Sequence, residues 1–160
     1  MTKATSILLL IALVVLASAR SEYKVVNTVK NTTSITLTLS YTGTQDYHIK
    51  TNNPIIKTLN FHYQTHTFFD FSFKIKDSNN NRFEIFKGGV FPVDPEENFT
   101  FPVANSGVSF EYTESPFDFR IVRKQNGAVI FSTYEQQIIF SDHYIEIGTE
   151  VDSDYIYGIG

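Results

Sequence analysis

Apolar and polar residues alternate through much of this chain, which is the pattern of β-strands with one buried face. In residues 34–41, Ile and Leu at every second position are separated by Ser and Thr. Similar runs predict strands at 22–27, 59–63, 69–76, 82–86, 107–112, 117–121, 128–133, 137–140 and 143–149. No useful helical periodicity follows residue 19. Strands at intervals of roughly ten residues predict an all-β, antiparallel β-sandwich, with a barrel as the alternative.

Two turns are predicted between these strands. Asp77–Asn81 is rich in Asp, Ser and Asn, so residues 69–76 and 82–86 should form a hairpin around it. Asn126-Gly127 predicts a second hairpin, because both residues tolerate the positive φ angles that a primed two-residue turn requires.

Residues 1–19 resemble a signal peptide. Lys3 is followed by an unbroken apolar run over residues 7–16 and by Ala17-Ser18-Ala19, the small residues a signal peptidase reads. The run is shorter than the roughly 20 residues that span a bilayer. An uncleaved signal anchor is the alternative. We expect residues 20–160 to form one domain in the secretory pathway, secreted or held in the endoplasmic reticulum lumen or a lysosome-like compartment, with no membrane span after cleavage.

Composition limits how such a domain can be stabilised. The chain has no Cys, so a disulfide framework is excluded, but 15 Phe and 9 Tyr supply a large apolar core. Its net charge is −4, and it becomes −5 when Lys3 is removed with the leader. Without a basic cluster, neither nucleic acid nor an anionic membrane surface is an expected partner.

A series of short motifs in the last third of the chain resembles a known family. They are, in order, Pro116-Phe117, Arg123-Lys124, Asn126-Gly127, Ile130-Phe131, Ile139–Asp142, Thr149 and Tyr157–Gly160. Their order and spacing are similar to the end of the N-terminal domain of glycoside hydrolase family 31, the α-glucosidase, maltase and sucrase-isomaltase family. Lys74–Asp77 and Arg82–Ile85 add a second match, although Phe86 stands where the family usually has Pro.

The resemblance implies a galactose mutarotase-like β-sandwich that packs on a (β/α)₈ barrel. In that family the barrel carries both catalytic carboxylates and hydrolyses terminal α-linked glucose from oligosaccharides with retention. Such a barrel needs about 250 residues. We therefore expect residues 20–160 to lack the barrel and to be incomplete at the C-terminal end, with no catalytic residue and no cofactor.

Other candidate residues carry weaker signals. Asn31 and Asn98 each begin an N-glycosylation sequon. Acidic residues lie mainly on polar strand faces or in turns, where we expect solvated side chains: Asp70, Asp77, Glu84, Asp118, Asp142, Asp152 and Asp154. The four histidines, His48, His62, His66 and His143, predict no metal site. With no Trp, sugar stacking would fall to Tyr47, Tyr134 or Tyr144, for which burial is the alternative.

Three hypotheses remain. The first is the N-terminal sandwich of an α-glucosidase-like enzyme, which supports the barrel and the substrate entrance and has no activity alone. The second is a free-standing secreted carbohydrate-binding module. The third is a structural or adhesive sandwich. An exposed apolar surface would favour the first hypothesis over the second, because a free-standing module must cover its apolar residues.

Overall fold

The computed structural model describes residues 21–43, 53–81 and 99–150, and these residues contain nine β-strands. The strands are β1 Tyr23–Lys30, β2 Ser34–Tyr41, β3 Thr58–Thr65, β4 Phe71–Asp77, β5 Val108–Glu114, β6 Phe117–Arg123, β7 Val129–Ser132, β8 Ile138–Phe140 and β9 Ile145–Ile147. Within these ranges the only helix is a short 3₁₀ turn at Val103–Asn105. The prediction of an all-β, antiparallel fold is confirmed.

The first four strands form one antiparallel sheet in the order β1-β2-β3-β4. Leu37 lies opposite Phe61, and Leu39 lies opposite Leu59. All four side chains are fully buried, because the alternation of β2 and the alternation of β3 place them on the same face. Thr36 and His62 are paired on the other face and share a side-chain hydrogen bond of 2.9 Å.

The remaining strands form a three-stranded sheet, β5-β6-β7, and a small sheet of β8 and β9. Phe110 lies opposite Ile121 in the larger of these sheets, and Phe131 lies opposite Ile121 on its other side. The small sheet joins the first part of the chain through an antiparallel bridge between Ile55 and Ser141.

The two larger sheets pack face to face through aromatic rings. The ring centroid of Phe61 lies 4.9 Å from that of Phe119 and 5.4 Å from that of Phe110. Tyr63 stacks on Phe110 with a centroid distance of 4.8 Å. Each fully buried Phe contributes about 1.5–3 kcal/mol. The aromatic content thus supplies the core of a β-sandwich.

Two buried hydroxyl groups connect separate segments. The Tyr23 hydroxyl donates to the carbonyl oxygens of Ile56, at 2.7 Å, and Phe140, at 3.3 Å. The Thr133 hydroxyl accepts from the Phe119 N–H at 2.9 Å and lies 3.2 Å from the Phe119 carbonyl oxygen. Because these groups have partners, their burial does not carry the cost of an unsatisfied polar atom.

The first departure from prediction lies at the start of β4. The strand was expected from residue 69, with Phe69 on the buried face, but it begins at Phe71. Residues 66–70 form the turn instead, and the N–H of His66 donates to the Asp70 carbonyl oxygen at 2.9 Å. Phe69 is consequently 55% exposed. The alternation of residue types alone could not show that the pairing of β3 with β4 would stop at Phe71.

The second departure is the turn between β6 and β7. A primed two-residue turn at Asn126-Gly127 was expected, but only Gly127 has a positive φ, of 70°. The loop is longer, and the Arg123 N–H donates to the Ala128 carbonyl oxygen at 2.8 Å. The pairing of β6 with β7 also shifts register between Ile121 and Val122. With these extra residues, the loop reverses the direction of the chain with one left-handed residue instead of two.

The other strand predictions that fall within the described residues hold, with changes at their ends. Residues 34–41 match β2 at both ends, and β1 continues to Lys30 rather than ending at residue 27. The predicted signal peptide at 1–19 and the predicted strand at 82–86 lie outside the described residues, as do Tyr157–Gly160.

Candidate functional site

A cleft of about 590 Å³ lies at one end of the sandwich. The turn between β3 and β4 supplies two of its walls with Phe68 and Phe69. The segment before β5 contributes Ala104 and Gly107, and the turn after β6 contributes Lys124. The cleft therefore lies where three chain connections meet, and its surface is mainly apolar.

Backbone hydrogen bonds hold these connections together. The N–H of Gly107 donates to the Phe68 carbonyl oxygen at 2.6 Å, and the Ser106 hydroxyl donates to the same oxygen at 3.1 Å. The Gly107 carbonyl oxygen in turn accepts from the Lys124 N–H at 2.9 Å. The Phe68 backbone is thus fixed, although its side chain lies in a turn.

Both phenylalanine rings approach the Cα of Gly107 closely. A Cβ at this position would lie 2.5 Å from Phe69 Cε1 and 2.6 Å from Phe68 Cε1. Such contacts are shorter than van der Waals packing permits, so any larger residue would push the rings outward. The glycine allows Phe68 and Phe69 to lie against the backbone.

The rings near this cleft remain in contact with solvent. Phe68 is 50% exposed, Phe69 is 55% exposed and Phe99 is 58% exposed. Phe68 makes edge contacts with Phe69 and Phe101, at centroid distances of 4.7 Å and 6.3 Å. Several half-exposed phenylalanines in one region are typical of a surface that another group covers.

Two polar side chains near the rim are already bonded. Lys124 Nζ donates to the carbonyl oxygens of Ala104, at 3.1 Å, and Val103, at 3.5 Å. His66 lies behind the rim, with Nδ1 at 2.9 Å from the Phe99 carbonyl oxygen and Nε2 at 2.9 Å from Ser72 Oγ. These contacts fix the rim, and the arrangement suits binding of an apolar surface rather than acid–base chemistry.

The predicted glycosylation site at Asn31 lies at the same end of the sandwich. Asn31 is exposed in the turn between β1 and β2, where its N–H donates to the Ser34 carbonyl oxygen at 2.8 Å. The Val103 N–H donates to the Thr32 carbonyl oxygen at 2.8 Å, and the next residue, Ala104, lines the cleft. The other predicted glycosylation site, Asn98, lies outside the described residues.

The tyrosines proposed for sugar stacking do not form a common site in the described part of the chain. Tyr134 is half-buried, and the Arg120 guanidinium lies 5.3 Å from its ring centroid. Tyr144 is 43% exposed, but its hydroxyl donates to Glu146, which raises the pKa of Tyr144. Tyr47 lies outside the described residues.

The expectation of solvated acidic side chains is wrong for Asp77 and Asp118, which are only 8% and 5% exposed because the strands that carry them pack into the sandwich. Two of the candidate acidic residues have local structural partners. Asp77 closes the turn after β4, where its Oδ1 accepts from the N–H of Asn79 at 2.9 Å. Asp142 Oδ2 lies 3.3 Å from Nε2 of His143. Among the described residues, no group of three His, Asp or Glu side chains could hold a metal ion. Glu84, Asp152 and Asp154 are outside these residues.

The Phe68–Phe69 cleft was missed by the sequence analysis. Its signal was present, since two adjacent Phe residues stand between strands, where turns usually contain Gly, Asn, Asp, Ser or Pro. Phe69 was instead assigned to the buried face of the following strand.

The described residues also contain no helix that is long and apolar enough to span a membrane.

Comparison with known proteins identifies relatives of this chain. An intestinal sucrase-isomaltase from Homo sapiens is 38% identical over 91 residues, which is 56% of this chain. An alpha-glucosidase from Mucor javanicus is 30% identical over 148 residues, which is 90% of this chain. A lysosomal acid alpha-glucosidase from Tetrahymena pyriformis is 28% identical over 131 residues, which is 81% of this chain.

These matches cover only a small part of each relative. The chain spans 5% of the human protein, 17% of the Mucor protein and 14% of the Tetrahymena protein. No family model matches the chain.

Proposed function

This chain is a homologue of the sucrase-isomaltases and α-glucosidases of glycoside hydrolase family 31, and from that premise we propose that it forms the N-terminal β-sandwich domain of an α-glucosidase-like enzyme. In this proposal the sandwich supports a catalytic barrel and shapes its substrate entrance. The complete enzyme hydrolyses terminal α-glucosidic bonds of oligosaccharides. Residues 20–160 have no activity alone.

The observation that carries this proposal is the extent of the similarity. The match to the Mucor alpha-glucosidase covers 90% of this chain, so it includes most of the sandwich rather than one motif. A retaining glycosidase needs two carboxyl groups about 5–5.5 Å apart across the bond to be cleaved. Asp77 and Asp142, two of the described candidates, instead make local structural contacts. A supporting role fits this sandwich better than catalysis.

Apolar side chains exposed on β7 and β9 are candidates for contact with a barrel, although they do not all lie on one face. Val129 is 42% exposed and Ile130 is 44% exposed, although they are adjacent in β7 and their side chains point to opposite faces. Ile145 in β9 is 56% exposed. Burial of such residues against a second domain would be favourable at about 25 cal/mol per Å² of apolar surface.

The predicted leader supports a location in the secretory pathway, with signal cleavage after residue 19. Relatives whose names include "intestinal" and "lysosomal" are compatible with that route. Secretion, the endoplasmic reticulum lumen and a lysosome-like compartment all remain within the proposal.

The test is to capture the native protein from its source cells with an antibody raised against residues 20–160. We expect the captured protein to be far larger than 18.3 kDa and to release glucose from maltose. A captured protein with the mass of this chain and no glucose release would contradict the proposal. An antibody preabsorbed with the purified domain is the control for nonspecific capture.

The Phe68–Phe69 cleft favours a second candidate function, a carbohydrate-binding module without catalysis. Aromatic rings exposed in a cleft can stack on the apolar face of a sugar ring. This candidate predicts that malto-oligosaccharides shift the NMR resonances of Phe68 and Phe69 in unglycosylated protein. A Phe68→Ser variant should lose these shifts and a Tyr144→Ser variant should retain them. Absence of any shift would eliminate this candidate.

A further inference from the structure

The turn between β1 and β2 contains the Asn31 sequon, and backbone hydrogen bonds hold this turn from two sides. The Asn31 N–H donates to the Ser34 carbonyl oxygen at 2.8 Å, which closes the turn. The Thr33 carbonyl oxygen accepts from the N–H of Thr65 at 3.1 Å, and Thr65 is the last residue of β3. The backbone of the sequon is therefore fixed at one end of the first sheet.

The side chains of this sequon are accessible in the folded protein. Asn31 and Thr32 are exposed, and Thr33 is half-buried. Asn31 Nδ2 lies 3.5 Å from Ser34 Oγ, which is at the limit of a hydrogen bond. A group attached to Nδ2 would therefore displace one weak contact and leave the backbone hydrogen bonds of the turn in place. A bulky, solubilising glycan requires such a surface position.

The sequon and the small sheet of β8 and β9 lie at opposite ends of β3. Just before β3 begins, the Ile56 N–H donates to the carbonyl oxygen of Phe140, which is paired with Ile145 of β9. The strand then ends at Thr65, beside the sequon. Its eight residues span roughly 25 Å. Ile145, which is 56% exposed, is thus separated from Asn31 by the length of the strand.

We propose that Asn31 carries an N-linked glycan in the mature protein, and that the turn between β1 and β2 faces solvent in the complete enzyme. The modification rests on the proposed secretory route, and the orientation also rests on the proposed barrel. A glycan occupies the surface around its attachment point, so a protein domain cannot pack closely there. The barrel then contacts the sandwich away from this turn, and the end that carries Ile145 stays available to it.

The modification is the transfer of an oligosaccharide from a lipid diphosphate that the secretory pathway supplies. Nδ2 of Asn31 forms a bond to the anomeric carbon of the oligosaccharide, while the bond from that carbon to the diphosphate oxygen breaks. The lipid diphosphate leaves with the electron pair of the broken bond, and one amide proton passes to a base of the transferase. The transferase reads the hydroxyl at the third sequon position, here Thr33, which Ser can replace.

The first experiment measures the occupancy of Asn31. The full chain with its own leader is produced in eukaryotic secretory cells, with Thr100→Ala to remove the second sequon, and glycopeptides of the secreted protein are mapped by mass spectrometry. We expect a glycan on Asn31 in most molecules. Asn31→Gln and Thr33→Ala should each abolish it, whereas Thr33→Ser should retain it. A secreted, folded protein with unmodified Asn31 would overturn the inference and leave the proposed function intact.

The second experiment measures whether the turn faces solvent in the native protein. The protein captured from its source cells is treated, without denaturation, with an enzyme that cleaves N-glycans from Asn and leaves a carboxylate. The rate at which this carboxylate forms at Asn31 is followed by mass spectrometry. The secreted chain of the first experiment gives the rate for an unobstructed turn, and we expect equal rates. Release that is several-fold slower in the captured protein, and equal after denaturation, would overturn the proposed orientation.

Failure of the proposed function has a different signature. A captured protein with the mass of this chain and no glucose release would contradict the proposed function, whereas a glycan on its Asn31 would still support the modification. A chain that never enters the secretory pathway would contradict the proposed localisation, and the inference would fail with it.

Discussion

Two groups of phenylalanines in this molecule have opposite surroundings. Phe61, Phe117 and Phe119 lie between the sheets and are 0% exposed. Phe68 and Phe69 lie in the turn between β3 and β4, and each is at least 50% exposed. The first group is placed by strand alternation, and the second is placed by a turn that packs against Gly107. Residue type alone therefore does not identify a core residue in this chain.

The comparison also separates stability from function. A buried Phe contributes to folding through the area it removes from water and through its ring contacts. A half-exposed Phe leaves much of that contribution unused until another group covers it. The core group thus accounts for the sandwich, and the cleft group is the better candidate for an interaction.

The largest expected effect is the difference between the two groups on truncation. Phe61→Ala should lower the free energy of unfolding by about 3–5 kcal/mol, because it leaves a cavity between the sheets. Phe68→Ala should lower it by roughly 1 kcal/mol or less, since half of the ring is already exposed. Urea denaturation of both variants measures the difference, and equal losses would refute the distinction.

The buried hydrogen bond of the Thr133 hydroxyl provides a second test of the core. Thr133→Val keeps the side-chain shape but removes the acceptor of the buried Phe119 N–H, so we expect a loss of about 1–3 kcal/mol. Thr38→Val, on the polar face of β2, should change stability by less than about 0.5 kcal/mol. Denaturant midpoints of the two variants measure this contrast. A Thr133→Val variant as stable as the control would show that this hydrogen bond is unimportant.

Two buried tyrosines provide a smaller contrast. The Tyr63 hydroxyl is buried without a hydrogen-bond partner among the described residues, whereas the Tyr23 hydroxyl donates to Ile56. Tyr63→Phe should therefore leave stability unchanged or raise it by up to about 1 kcal/mol, and Tyr23→Phe should lower it by about 1 kcal/mol. Thermal unfolding of both variants measures which is more stable. A Tyr23→Phe variant more stable than Tyr63→Phe would contradict the prediction.

The same tyrosines predict a loss of stability at alkaline pH. Burial raises the pKa of Tyr63 from 10.0 to about 12. The pKa of Tyr23 is also raised, mainly by burial and to a smaller extent by the negative charge of Asp77. Above pH 10 the unfolded chain releases these protons while the folded chain retains them, so the free energy of unfolding falls as pH rises towards 12. Tyr63→Phe should reduce that slope. An unchanged slope would show that Tyr63 does not contribute.

The smallest expected effect concerns the ion pair on the outer face of β5 and β6. Glu111 Oε2 lies 2.7 Å from Nη2 of Arg120, but both side chains are more than 40% exposed. Glu111→Gln should cost only about 0.2–1 kcal/mol, and the cost should shrink at high salt. Denaturation at low and high salt measures it. A larger loss that is independent of salt would contradict a surface pair.

The strands were accessible from sequence because alternation reports which face of a sheet is buried. Ser34–Tyr41 was predicted with both ends correct, since every second residue is apolar and β2 lies between two neighbouring strands. The cleft was only partly accessible: two adjacent Phe residues between strands are unusual for a turn, but Phe69 also continues the alternation of β4, which begins only at Phe71. Its neighbours Ala104 and Lys124 are distant in sequence, and nothing in their local pattern indicates that they meet Phe68.

The central claim is that this sandwich supports an α-glucosidase-like enzyme and does not itself cleave a glycosidic bond. The direct measurement is glucose release from maltose and from an aryl α-glucoside by purified, folded residues 20–160, with a heat-denatured sample of the same protein as the unfolded control. The account predicts no release above that of buffer. A rate that scales with the concentration of the folded domain and disappears in the heat-denatured sample would contradict it.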